Sequence, residues 1–223
     1  SGSTAHARAS SARVVAVSDY DGAPFALYRP DGFDADLLAT LEAHKLAHGS
    51  QRGFGEERTR LMEMKAFWTL PVDVVVPAAR ERQITAANAS SIQARYVVEG
   101  ANGPTTPEAD AILEQKGGTV IPDVFANGGA VTASAFEIQQ DTSGHFWSDV
   151  TQKRSLRRRF QRNFRGLSTI RRRYRVSLRH AAYILALRRI GHATAAATQP
   201  PRVASEPQAE IVQHGRAQIE REA

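Results

Sequence analysis

The sequence predicts an α/β fold: a doubly wound parallel sheet, incomplete at its first strand, followed by C-terminal helices. Three observations carry this. Several short apolar runs are continuous rather than alternating, as strands are when helices cover both faces of a parallel sheet. Helix-patterned stretches separate those runs, the rhythm of strand–helix–strand units. The runs end in polar or turn residues, and in open parallel sheets ligands lie beyond the carboxyl ends of the strands.

Taken in order, residues 1–11, SGSTAHARASS, hold no apolar stretch like a secretory signal and read as a disordered start. ARVVAVSD (12–19) is a β-branched run ending at Asp19. FDADLLATLEAHKLAHG (33–49) sets Leu37, Leu38 and Leu41 on one side of a helix that stops at Gly49. VDVVVPAA (72–79) closes on Pro77, Ala78 and Ala79, and TAANASSIQ (85–93) has Thr85 as its cap. RYVVEGAN (95–102) runs into Asn102. TPEADAILEQKG (106–117) offers Thr106 as N-cap, Pro107 in the first helical position, Glu108 at the positive helix end and Gly117 as the stop. TVIPDVFAN (119–127) reaches Asn127. The rest of 12–147 completes this domain, and residues 148–197 form Arg-rich C-terminal helices. In the first of them, 148–175, Ser148 is the N-cap. Phe160, Phe164, Leu167, Ile170 and Tyr174 make one helical stripe, with arginines on the other faces. The second, 177–197, is more evenly apolar and is expected to pack against the body. Residues 198–223 are a polar tail.

Composition narrows the chemistry. A chain of 223 residues with 42% hydrophobic residues can bury a sizeable core. With no cysteine, disulfides, thiolate nucleophiles and zinc–cysteine sites are excluded, which fits a reducing compartment. No apolar run reaches the ~20 residues that span a bilayer. The net charge of +6 is unevenly spread. Between Val150 and Ser205 stand fifteen Lys or Arg and no acidic residue, leaving fourteen basic against twenty-three acidic residues elsewhere.

Four blocks are specific enough to carry a resemblance: VVEGANGPTTPEAD (97–110), IPDVFANGGAVTASAFE (121–137), GHFWS (144–148) and VSLRHAAYILALRRI (176–190). With ARVVAVSDYDG (12–22), YRPDGFD (28–34) and VDVVVPAARERQIT (72–85) in the same order, residues 12–195 resemble the C-terminal, nucleotide-binding half of the glutamate dehydrogenase family, which includes leucine, phenylalanine and valine dehydrogenases. The resemblance implies a Rossmann-like domain over 12–147 that binds NAD or NADP. It also implies oxidative deamination of L-glutamate to 2-oxoglutarate and ammonia, in a cytoplasmic homo-oligomer, usually a hexamer, with no metal. Carried over residue by residue, Asp19 would accept hydrogen bonds from the adenosine ribose, with a plain turn role as the other reading. Pro77 and Ala78 would line the dinucleotide crevice. Asn102 would contact the nicotinamide ribose or carboxamide, and Asn127 would lie near nicotinamide and substrate. Ser134 would hold the substrate's side-chain carboxylate, or else bond back to its own helix turn.

Departures from the family pattern bear on activity. The glycine-rich dinucleotide turn is expected just before ARVVAVSD, where this chain has only residues 1–11. GFG at 53–55 is rejected because Arg58 stands where the third glycine belongs. The strand at 14–19 is therefore expected either to border a gap or to pair directly with 72–76. The catalytic lysine and aspartate of the family's N-terminal domain have no counterpart, so no catalytic residue is assigned and the chain alone is expected to be weak or inactive. Arg80 and Arg82 replace an apolar residue and an asparagine. Two other functions stay open: a non-catalytic module joining a full-length homologue, and nucleic-acid binding through the arginine helix.

Overall fold

A computed structural model describes residues 12–198. The chain divides into two compact units, residues 1–184 and 185–223, and each is taken by itself.

The first unit opens with an antiparallel sheet. Strand β1 (Val14–Tyr20) turns through Asp21 and Gly22 into β2 (Pro24–Phe33), with Val17 opposite Leu27 and Asp19 opposite Phe25. Gly22 has φ +106°, which an L side chain rarely adopts. Strand β3 (Arg60–Glu63) pairs with the other side of β2. Helix α1 (Ala35–His48) begins where the Asp34 carboxylate accepts the Leu37 N–H at 2.8 Å, and it ends at Gly49, φ +76°. Its Leu38 and Leu41 bury against Phe25, Leu27, Phe33 and Phe54. Each such side chain contributes roughly 1.5–3 kcal/mol.

This corrects the expected pairing. Strand β1 does not pair with the 72–76 run; its partner is β2, which the sequence reading did not identify. The signal was present in Asp21-Gly22 between two apolar runs, a strong hairpin dipeptide.

The second sheet is parallel, in the order β4 (Val74–Val75), β5 (Tyr96–Val98), β6 (Thr119–Ile121). Val75, Val97 and Val120 lie side by side across it. They pack with Ile84, Ala89, Ile92, Ala109 and Leu113, and with Phe67 and Trp68 of the short α2 (Met64–Trp68). Strand β4 forms one edge, where Val74 and Val76 are exposed. Helix α3 (Ala86–Ala89) has the Thr85 cap, reinforced by Asn88, but is shorter than the expected 85–93. Helix α4 (Pro107–Gln115) follows the sequence closely, with the Thr106 hydroxyl accepting the Ala109 N–H.

The run 119–127 is not one strand. It ends at Ile121 because Pro122 has no N–H to give a ladder, and a single-turn helix α5 (Asp123–Ala126) follows, with Asn127 at its end. Helix α6 (Gly129–Ser143), expected only as a helical turn around Ser134, ends at Gly144 in the left-handed region. Helix α7 (Asp149–Tyr174) starts at Ser148, whose hydroxyl accepts the Thr151 N–H. Its stripe turns inward at Leu167 and Ile170, and Phe160 and Phe164 meet Phe125 at ring separations of 5.3 and 5.9 Å. Arg175, φ +53°, ends α7, and α8 (Leu178–Thr198) follows, burying Leu178, Ala181 and Ala182 in the first unit. The second unit's described residues, 185–198, are helical throughout. The calls for residues 1–11 and the tail beyond 198 lie outside the described residues.

Candidate functional site

Beyond the carboxyl ends of β4 and β5 lies an open cleft of about 420 Å³, lined by Ala78, Ala79, Arg80, Glu81, Gly100, Ala101 and Asn102. Its floor is set by backbone bonds. The Pro77 carbonyl accepts both the Gly100 and Ala101 N–H groups, at 3.1 and 3.0 Å. A side chain on Gly100 would meet the Ala78 Cβ at 3.0 Å, so any larger residue there would push the two turns apart by a few tenths of an ångström. The far wall is zipped by Arg82 N–H to Gly103 carbonyl (2.9 Å), Ile84 N–H to Pro104 carbonyl (2.8 Å) and Thr106 N–H to Ile84 carbonyl (2.9 Å).

The sequence-derived residues fall out as follows. Ala78 lines the cleft and is exposed, whereas Pro77 is buried and does not line it, acting through its carbonyl on Gly100 and Ala101. Asn102 and Asn127, 25 residues apart in sequence, meet: the Asn127 Nδ2 donates to Asn102 Oδ1 at 2.7 Å. Among the described residues no hydrogen bond uses Asn102 Nδ2 or Asn127 Oδ1, so the pair keeps one whole amide NH2 and one carbonyl oxygen for a ligand. Ser134 is exposed on α6 and shows no bond back to its own turn, whereas Thr132 bonds back to the Gly128 carbonyl.

Asp19 is engaged internally. Its side chain is only 6% exposed, one oxygen lies 2.5 Å from the Lys45 Nζ, and the other accepts the Gln51 N–H at 2.9 Å. Burial pushes its carboxyl up, but Lys45 and the Gln51 and Tyr20 amides outweigh that and hold it below the ordinary value. Asp21 beside it accepts from Arg52 and Ser50 and is lowered to about 2, Arg52 being the main cause. Arg80 joins the two sheets at the rim, its guanidinium 5.0 Å from the Tyr20 ring centroid.

The sequence reading missed a buried charge cluster behind the cleft. Glu99, on the tip of β5, is 0% exposed. Arg179 of α8 forks onto both its oxygens at 2.8 and 3.0 Å, reaches Asp110 at 2.7 Å, and lies 3.4 Å from Asp123. Burial pushes the Arg179 guanidinium down, and Glu99 and Asp110 push it further up, so it stays charged. Glu99 therefore faces inward rather than towards a ligand, although it belongs to the same polar strand end as Asn102. The clue available in sequence was an arginine inside the apolar LRHAAYI run, on a helix expected to pack inward.

Comparison with known proteins identifies this arrangement. A family model described as Glutamate/Leucine/Phenylalanine/Valine dehydrogenase matches residues 2–197. The chain belongs to this family. A glutamate dehydrogenase of Thermotoga maritima is 43% identical over 184 residues, covering 82% of this chain and 42% of that protein. An NAD-specific glutamate dehydrogenase of Staphylococcus aureus is 37% identical over 182 residues, with the same shares. The chain thus spans about 42% of the length of these curated relatives. Among solved structures, a hetero-hexameric glutamate dehydrogenase of Thermus thermophilus in a Leu-bound form aligns with a TM-score of 0.77 at 32% identity, over 89% of this chain and 45% of that one. The glutamate dehydrogenase of Peptoniphilus asaccharolyticus aligns with a TM-score of 0.71 at 28% identity, over 88% and 44%. The mixed α/β architecture with its parallel three-stranded sheet and C-terminal helices is that of the family's nucleotide-binding domain. These comparisons lend no support to the nucleic-acid or interaction-module readings. Among the described residues no helix is long and apolar enough to cross a membrane, and no cluster could hold a metal ion.

Proposed function

We propose that this chain is the nicotinamide-dinucleotide-binding portion of a glutamate dehydrogenase-like oxidoreductase, which oxidatively deaminates L-glutamate to 2-oxoglutarate and ammonia. The observation that carries the reading is the Asn102–Asn127 pair at the mouth of a cleft formed by the carboxyl ends of parallel strands. Neutral amides suit the nicotinamide end: they offer a donor and an acceptor with no charge to oppose a transferring hydride. The close Gly100–Ala78 approach likewise fits a flat group lying on backbone. The fit is poorer for the pyrophosphate, because among the described residues no G-x-G-x-x-G turn joins a strand to a helix; the Gly128–Gly129 pair that opens α6 follows a helical turn instead.

When bound, the nicotinamide supplies the hydride acceptor. The chain's own residues bind and orient. Asn102 and Asn127 hold the ribose and carboxamide, Ala78 forms the crevice wall with the Pro77 carbonyl fixing its floor, and Ser134 donates to the substrate's side-chain carboxylate. Asp19 takes the adenosine ribose by exchanging one of its present partners, Lys45 or Gln51. Either NAD or NADP fits this reading, and the NAD-specific relative favours NAD. A cytoplasmic homo-oligomer, or assembly with a full-length homologue, goes with it, since half the catalytic groups are sought outside this span.

The test is a titration of the purified chain with NADH, followed by nicotinamide fluorescence at low and moderate salt. Saturable binding that survives salt and weakens about tenfold in Asn127→Ala is expected, from the loss of one hydrogen-bonding group. No saturation at millimolar NADH overturns the reading for this chain.

A further inference from the structure

The buried cluster around Arg179 is tied to the cleft through a single carboxylate. Asp123 lies within 3.4 Å of the guanidinium and uses its other oxygen, Oδ2, to accept the Gly103 N–H at 2.8 Å. Gly103 is the residue after Asn102. The Asp123 carbonyl accepts the Asn127 N–H at 3.1 Å, so the same residue also fixes the end of α5 from which Asn127 projects. Asp123 is itself held twice, because its own N–H donates to the Glu99 carboxylate at 2.7 Å. Both halves of the amide pair thus hang on one residue, and that residue hangs on the Glu99–Arg179 fork.

We propose that Arg179 is a positioning residue for the cofactor cleft, setting the Asn102–Asn127 amide pair from α8 through Glu99 and Asp123. The proposal rests on the reading of that pair as the nicotinamide contact. The physical ground is the charge count: three carboxylates, Glu99, Asp110 and Asp123, converge on one guanidinium. A planar fork satisfies both Glu99 oxygens while its remaining nitrogen takes Asp110, which an ammonium cannot do in one geometry. Without the guanidinium the carboxylates repel one another in a poorly hydrated space, and Asp123, at 20% the most exposed of the three, has the easiest route towards solvent. Its outward swing would release Gly103, whose φ of +51° is held by that bond and by the Arg82 N–H on its carbonyl.

The experiment uses the full chain with Arg179→Lys, Asp123→Ala and Asp123→Asn. For each, circular dichroism checks folding, hydrogen exchange reads the Gly103 amide, NMR reads the Asn127 side-chain amide, and NADH titration reads the cleft. Arg179→Lys and Asp123→Ala are expected to stay folded. Both should speed Gly103 exchange about tenfold, shift the Asn127 signals and weaken NADH binding by a similar factor. Asp123→Asn, which keeps an acceptor for the Gly103 N–H, is expected to restore most of this, a rescue that a general loss of stability would not give. Asp123→Ala tests the last link alone, and if Arg179→Lys does not fold, Glu99→Gln, which weakens the fork while leaving Asp123 in place, tests the link from Arg179 by the same readouts. If the parent chain binds no NADH, the proposed function fails while the Gly103 and Asn127 signals still test the positioning role. A folded Asp123→Ala or Arg179→Lys whose Gly103 exchange and Asn127 signals match the parent overturns it.

Discussion

Asp19 and Asp21 stand two residues apart at the end of β1 and answer to different partners, Lys45 with the Gln51 amide for one, Arg52 with Ser50 for the other. Both carboxyls are held below their ordinary value, Asp21 at about 2. An unfolded aspartate titrates near 3.9. A depressed carboxyl contributes stability that is present above the unfolded value and lost as pH falls through the folded one. The link between β1 and the turn after α1 should therefore loosen between about pH 4 and pH 2. A carboxyl NMR titration is expected to give Asp21 a midpoint near 2, and a midpoint near the ordinary value would show that the Arg52 contact is not kept in solution. At this scale the sequence marked Asp19, Asn102 and Asn127 because each closes an apolar run, and the family resemblance gave them their roles. Nothing local marks Glu99 as Arg179's partner, since the two lie 80 residues apart and only packing brings them together.

Elements were legible wherever both ends carried their own punctuation. Helix α4 has Thr106 at its cap, Pro107 in its first turn and Gly117, φ +80°, just past its end, and it forms where the sequence puts it. Helix α1, between Asp34 and Gly49, does the same. The cap on α4 is buried, so its loss leaves the Ala109 N–H without a partner and without water. Thr106→Ala should cost about 1 kcal/mol, read as a lower urea midpoint at unchanged slope. An unchanged midpoint would mean that another group takes over the cap. Elements were lost where punctuation falls inside an apolar run. Pro122 splits 119–127 into a strand and a helical turn, and Asp21-Gly22 folds β1 back into a hairpin rather than onwards into a helix.

At the level of the whole molecule, two apolar clusters form without sharing a residue. One lies between β1–β2 and α1, the other among β4–β6, α3 and α4. Damage to one should therefore stay local. Leu41 is fully buried in the first cluster, and Leu41→Ala is expected to cost about 2–5 kcal/mol. Hydrogen exchange should show lost protection in β1, β2 and α1, with β5 and β6 unchanged. A uniform loss across both sheets would mean that the clusters unfold as one. The antiparallel grouping of the first sheet was missed because β1 reads as a buried strand whichever neighbour it takes, and Asp21-Gly22 was the one local mark of its true partner.

The exposed border of the parallel sheet has a practical outcome of its own. Strand β4, Val74–Val75, pairs with β5 on one side only, and the exposed Val74 and Val76 stand along it; its shortness is the main thing that discourages a visitor. Such a border is indifferent to who supplies the next strand. Crowding the chain with its own copies favours stacking edge to edge, and dilution reverses it before the stacks consolidate. Light scattering of the stored protein, per unit mass, is therefore expected to rise with its concentration, and no such rise would mean the border is too short to recruit a strand.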